Sequence, residues 1–257
     1  MKRTICFSLI IILALLFTSC ANQLKKDVQK YINDDLPTLV EYENTATVAY
    51  GFVTGDNYKN DVILYNVLND IIVPNYLKLK NGIESFTFQT KELRGLNENY
   101  IDIVNTQYNA FLILQSALEN QSRIEVIDAN ERLDKAKRLY RQWQVDFGEL
   151  CKKVNVSVPD SRLLEKIGTS EMLIGTWSGE MDGESALIVI NKNSIILSGD
   201  GEVYETTYEY NNSILTIYAP EGESDDISVL CFISGNTMNW IFLDDEEYLS
   251  YTFTKRG

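Results

Sequence analysis

The sequence predicts a two-domain α + β protein, with an antiparallel helical bundle followed by a small eight-stranded antiparallel up-and-down β-barrel. Two observations carry this expectation. Apolar residues recur at helical spacing from Leu24 to about Val156 and alternate after residue 171, and hydrophobic period is the primary signal of secondary structure. Charge changes at the same place. Residues 21–170 carry 18 basic and 21 acidic side chains, a net of −3, whereas residues 171–257 carry 3 and 16, a net of −13. Surfaces this different argue for separate domains, at residues 20–156 and 171–257 with a linker at 157–170.

The chain begins Met1-Lys2-Arg3, continues with an apolar run from Ile5 to Phe17, and reaches Phe17-Thr18-Ser19-Cys20. A basic start, a short apolar core and small residues before a cut site follow the order of a secretory signal. The stretch from Thr4 to Ser19 is shorter than the ~20 apolar residues a membrane-crossing helix requires. The segment resembles the lipobox of bacterial lipoprotein signal peptides. That resemblance implies removal of residues 1–19 and a diacylglycerol on Cys20 as the lipid attachment site. The membrane would then be a partner through this lipid, with the chain anchored on the extracytoplasmic side rather than spanning. Lys25, Lys26 and Lys30 follow closely, and basic residues there gain about 1 kcal/mol each beside an anionic leaflet.

Four helices are expected, at 23–53, 59–86, 90–119 and 123–155. Leu133, Ala136, Tyr140, Trp143, Phe147, Leu150 and Val154 step by three and four residues, the spacing of a bundle seam. Leu93, Leu96, Tyr100, Val104, Tyr108, Phe111, Gln115 and Leu118 follow nearly the same rule. Breaks fall at Gly55-Asp56-Asn57, near Thr87 and at Asn120-Gln121-Ser122, and such short loops favour antiparallel neighbours. Pro37 and Pro74 lie inside two of these helices. There each removes a hydrogen bond and clashes with the preceding turn, so each predicts a kink or a split.

Beyond a short helical segment through Lys166, turn signals recur at Asp182-Gly183, Asn191-Lys192-Asn193, Asp200-Gly201, Asn211-Asn212 and Ser234-Gly235-Asn236. They delimit eight strands at 173–180, 185–190, 194–199, 202–210, 213–218, 227–233, 237–243 and 248–254. Closing such a meander removes exposed edges. Leu173-Ile174-Gly175-Thr176-Trp177, at the first strand, resembles the Gly-x-Trp opening of lipocalin-like domains. The resemblance implies that Trp177 closes the barrel floor and that a basic residue stands near the end of the last strand, where Lys255 or Arg256 matches. An eight-stranded barrel is wide enough only for its own side chains or one small ligand. Trp177, Tyr204, Tyr208, Trp240 and Tyr251 are therefore candidate ligand-binding residues, although the short strands and many aromatics favour packed core as the role of these side chains.

The chain has no histidine, which removes the commonest general base and zinc ligand. Its net charge of −14 argues against nucleic acid as a partner. Acidic turns at Glu180, Asp182 and Glu184, at residues 221–226 and at residues 244–247 lack EF-hand spacing. Neither a metal nor any other cofactor is expected, and no catalytic residue set is evident. Cys151 and Cys231 remain after Cys6 and Cys20 are set aside, and two unpaired thiols are expected. These readings point to a non-catalytic, membrane-anchored envelope protein that binds or scaffolds an envelope protein partner. The alternatives are a carrier of a small apolar ligand and, last, a carboxylate-dependent hydrolase.

Overall fold

The computed structural model describes residues 22–158, 170–199, 201–211, 213–219, 225–243 and 248–257. The lipobox, Cys20, most of the linker and the acidic runs at 221–224 and 244–247 lie outside the described residues. Helices fill the first part of the chain: α1 (22–30), α2 (Pro37–Phe52), α3 (Asp61–Val67), α4 (Val73–Ser85), α5 (Lys91–Glu119) and α6 (Arg123–Val154). A short α7 (Ser170–Leu173) leads into nine strands. Among the described residues no helix is long and apolar enough to cross a membrane.

Both prolines sit just beyond a widened π turn, at Tyr31–Asp35 before Pro37 and at Leu68–Ile72 before Pro74. In the first, the Leu36 amide reaches the Tyr31 carbonyl, five residues back, at 2.8 Å. An i→i+5 turn makes room for a ring that would strike the preceding turn of an α-helix. The expected kinks thus take the form of π turns.

Of the described residues, 22–43 and 73–158 form one compact unit, and 44–72 and 170–257 form the other. The sequence boundaries follow the change of secondary structure, whereas these contacts join 44–72 to the barrel. In the first unit α5 and α6 form an antiparallel hairpin. Trp143 Nε1 donates to the Leu96 carbonyl at 3.1 Å, and Lys153 pairs with Glu92 at 3.3 Å. Ser122 caps α6 by accepting from the Glu125 amide, and Asn155 closes it at φ 53°. The start of α5 takes its cap from another helix. Asp27 on α1 accepts from the Gln89 and Thr90 amides and from the Thr90 hydroxyl, at 2.8 to 3.1 Å.

The α6 stripe is buried at Ala136, Trp143, Phe147 and Leu150. On α5 the expected stripe is buried at Leu93, Leu96, Tyr100, Val104 and Phe111, with Tyr108 half-buried, and then moves to Leu114 and Ala117, replacing Gln115 and Leu118. A straight helix drifts in this way from a strict heptad rule. Tyr31 is the hub of the core, edge-on to Phe86, Phe88 and Phe147.

The barrel domain is a meander of β1 (Gly175–Met181), β2 (Glu184–Ile190), β3 (Ile195–Gly199), β4 (Glu202–Thr206), β5 (Tyr208–Asn211), β6 (Ile214–Ile217), β7 (Ile227–Ser234), β8 (Thr237–Leu243) and β9 (Tyr248–Arg256). The strands pair in the order β4-β3-β2-β1-β9-β8-β7-β6-β5, and every pair is antiparallel. Among the described residues the strand count is nine rather than eight, because the strand expected at 202–210 divides at Thr207. Its first half pairs with β3 and its second with β6. In a staggered barrel, one run of chain can serve two neighbours only by leaving the first to reach the second. Two hydrogen bonds tie this seam. The Thr206 hydroxyl donates to the Tyr218 carbonyl at 2.7 Å, and the Tyr218 amide donates to the Thr207 carbonyl at 3.1 Å. The result is a nearly closed β-barrel.

Candidate functional site

Strand register decides which side chains meet inside the barrel, because residues opposite one another in antiparallel strands share a face. Trp177, Gly179 and Met181 on β1 oppose Ile188, Ala186 and Glu184 on β2. Leu197 and Gly199 on β3 oppose Tyr204 and Glu202 on β4, and Trp240 on β8 lies between Cys231 on β7 and Tyr251 on β9. At one end this interior is solid. Leu173, Trp177, Ile190, Ile195, Met238 and Phe253 belong to one buried cluster.

Toward the other end the interior opens into a cavity of about 450 Å³. Its walls include Met181, Ile188, Leu197, Ile217, Trp240 and Phe242. The cavity exists because small residues occupy inward positions: Ala186 and Gly199 both line it. Gly179 also faces inward, but Phe253 covers it.

Carboxylates ring the mouth. Asp182, in the β1–β2 turn, accepts from the Tyr251 hydroxyl at 2.7 Å, and Glu202 accepts from the Tyr204 hydroxyl at 2.8 Å. Glu184 also lines the cavity. Asp225 and Asp226 lead into β7 at Ile227, which is another wall residue. All three basic residues of 171–257 belong to the opposite end. Lys192 is in the β2–β3 turn, and Lys255 and Arg256 pair with Trp177 and Thr176 near the floor. Among the described residues no three acidic, cysteine or histidine side chains group to hold a metal ion.

The five aromatic candidates divide between floor, seam and cavity. Trp177 is fully buried in the floor, donating to the Leu173 carbonyl at 2.8 Å, with Lys255 Nζ 5.0 Å from its ring. Tyr208 turns its hydroxyl to the Asn191 carbonyl at 2.8 Å. Tyr204 and Trp240 line the cavity, and Tyr251 acts through its bond to Asp182. Trp240 is 1% exposed, and among the described residues its indole N–H has no oxygen acceptor, only the Cys231 sulfur beside it. Both Cys231 and Cys151 are free and buried. Burial pushes both thiols up, so neither is a ready nucleophile.

Sequence reasoning missed Ala186, Gly199 and Leu197, and it read Glu184 only as part of an acidic turn, not as a cavity residue. On β2 the outward residues include Leu187 and Val189, so apolar character on both faces hides which residues point inward. Only the register reveals it.

The bundle unit holds a second polar group. Glu43 accepts from the Tyr100 hydroxyl at 2.6 Å. Burial pushes the Glu43 carboxyl up against the opposing effect of that bond, and pushes Tyr140 up to about 12. Tyr100 stacks on Trp143, which stacks on Phe147, so the half-buried carboxyl is bonded to one end of a run of packed aromatics. No family model matches the chain, and neither a curated protein nor a solved structure matches it.

Proposed function

We propose that this is an exported, membrane-anchored binding protein, held by a lipid on Cys20, whose C-terminal barrel takes up a small apolar ligand without catalysis. The observation that carries the ligand reading is the open, mostly apolar cavity of about 450 Å³, which falls in the size range of small-molecule sites. A filled barrel would have favoured the scaffold reading. Support for the anchor comes from the order of basic, apolar and small residues that ends at Cys20. We read the barrel as lipocalin-like because Trp177 lies in the floor beneath Lys255, the arrangement implied by the Gly-x-Trp opening and a basic residue near the chain end.

Two measurements on protein purified from its own cells test the reading. Mass spectrometry is expected to show an N-terminal diacylated Cys20, which Cys20→Ser abolishes together with membrane retention. Native mass spectrometry or binding assays are expected to show one apolar compound per chain. A mature chain that keeps residues 1–19 contradicts the anchor. A chain that takes up no apolar compound contradicts the carrier.

A further inference from the structure

We infer that the barrel ligand carries a cationic, ammonium-type head on its apolar body. This rests on the carrier reading and adds the chemistry of the ligand's polar end. Three inward or turn carboxylates, Asp182, Glu184 and Glu202, line the same cavity as Trp240 and Phe242. Two of them are held by tyrosine hydroxyls rather than by cations, through Tyr251 and Tyr204. Neither bond neutralises the carboxylate charge. The three basic residues of 171–257 all stand at the floor end.

A body seated in the apolar part of the cavity must therefore present its head to carboxylates that no basic residue of 171–257 reaches from the floor end. The low-dielectric walls beneath the mouth strengthen that field relative to open water. An anionic head is repelled, a neutral head is tolerated, and a cationic head is drawn in. The electron-rich faces of Phe242 and Tyr204 are compatible with an ammonium group at the same level.

The test uses the full chain with Cys20→Ser, so that no anchor lipid competes, and three probes of equal chain length: decylammonium, decanol and decanoate. Calorimetric titration at neutral pH is expected to rank decylammonium at least about tenfold tighter than decanoate, with decanol between. The ratio should shrink in high salt and in the pair Glu184→Gln with Glu202→Gln, and stay unchanged in the outward control Glu180→Gln. Decanoate binding as tightly as decylammonium, or a ratio indifferent to the paired substitution, overturns the inference while leaving the carrier intact. Failure of all three probes to bind overturns both.

Discussion

Lys255 Nζ stands 5.0 Å from the centre of the Trp177 ring, and both residues come from the paired strands β1 and β9 that join the start of the barrel to its end. Trp177 also donates to the Leu173 carbonyl, and Lys255 to the Met172 carbonyl at 3.4 Å. The pair therefore ties the short helix α7 to the seam where the first and last strands meet. Lys255→Ala is expected to lower barrel stability by about 1 kcal/mol, with Arg256→Ala having little effect. Urea denaturation followed by tryptophan fluorescence checks this, and equal effects of the two substitutions would remove the special role of Lys255.

Gly179 lies on the same seam. A β-carbon there would sit 2.4 Å from the Thr252 carbonyl oxygen and 2.8 Å from the Phe253 ring, so backbone as well as side chain blocks it. Gly179→Ala is expected to cost about 1–3 kcal/mol, measurable as a lower denaturation midpoint. Gly183→Ala strains a positive φ of 85° in open space, which separates backbone strain from seam crowding.

Asp27 caps a helix to which it does not belong. Burial opposes its charge, but hydrogen bonds from Thr90, Gln23 and Gln89 outweigh burial and hold the carboxyl below its ordinary value of 3.8. A carboxyl depressed in the folded state contributes stability above its unfolded pKa, and that stability is lost as pH falls through the folded pKa. Asp27→Asn is expected to cost about 1–2 kcal/mol at neutral pH and to flatten the acid limb of the stability profile below pH 3.8. Thermal melts across that limb check both the size and the sign.

Two buried tyrosines in the bundle are expected to respond with opposite signs. The Tyr31 hydroxyl is fully buried and has no hydrogen-bond partner among the described residues, so Tyr31→Phe removes an unsatisfied group and is expected to be neutral or stabilising by about 1 kcal/mol. Tyr100→Phe strips the donor from Glu43 and is expected to cost about 1–3 kcal/mol. Chemical denaturation of the two variants side by side distinguishes them, and a matching loss in both contradicts the difference in satisfaction.

The parts of the fold legible in the sequence were those written in local pattern. The α6 stripe buries Ala136, Trp143, Phe147 and Leu150 and half-buries Tyr140, and the paired-residue turn at Asp182-Gly183 sits where β1 meets β2. Pro37 and Pro74 announced interruptions, although their resolution as π turns depends on which carbonyl the widened turn can still reach. The division at Thr207 was invisible, because β4 and β5 differ only in their partners. Asp27 gave no local sign of capping a helix that begins 64 residues later, at Lys91. The cavity lay equally deep. It is made of what Ala186 and Gly199 lack, and a missing side chain has significance only once its neighbours are placed.

The most direct measurement of the ligand account fills that space. Ala186→Phe places a ring in the cavity wall, and calorimetric titration of decylammonium against the full chain with Cys20→Ser, with and without this substitution, reads the result. The account predicts one site per chain in the parent and a loss of at least about tenfold in affinity in the variant, with the denaturation midpoint of the barrel retained. Undiminished binding to a stably folded Ala186→Phe chain would contradict it.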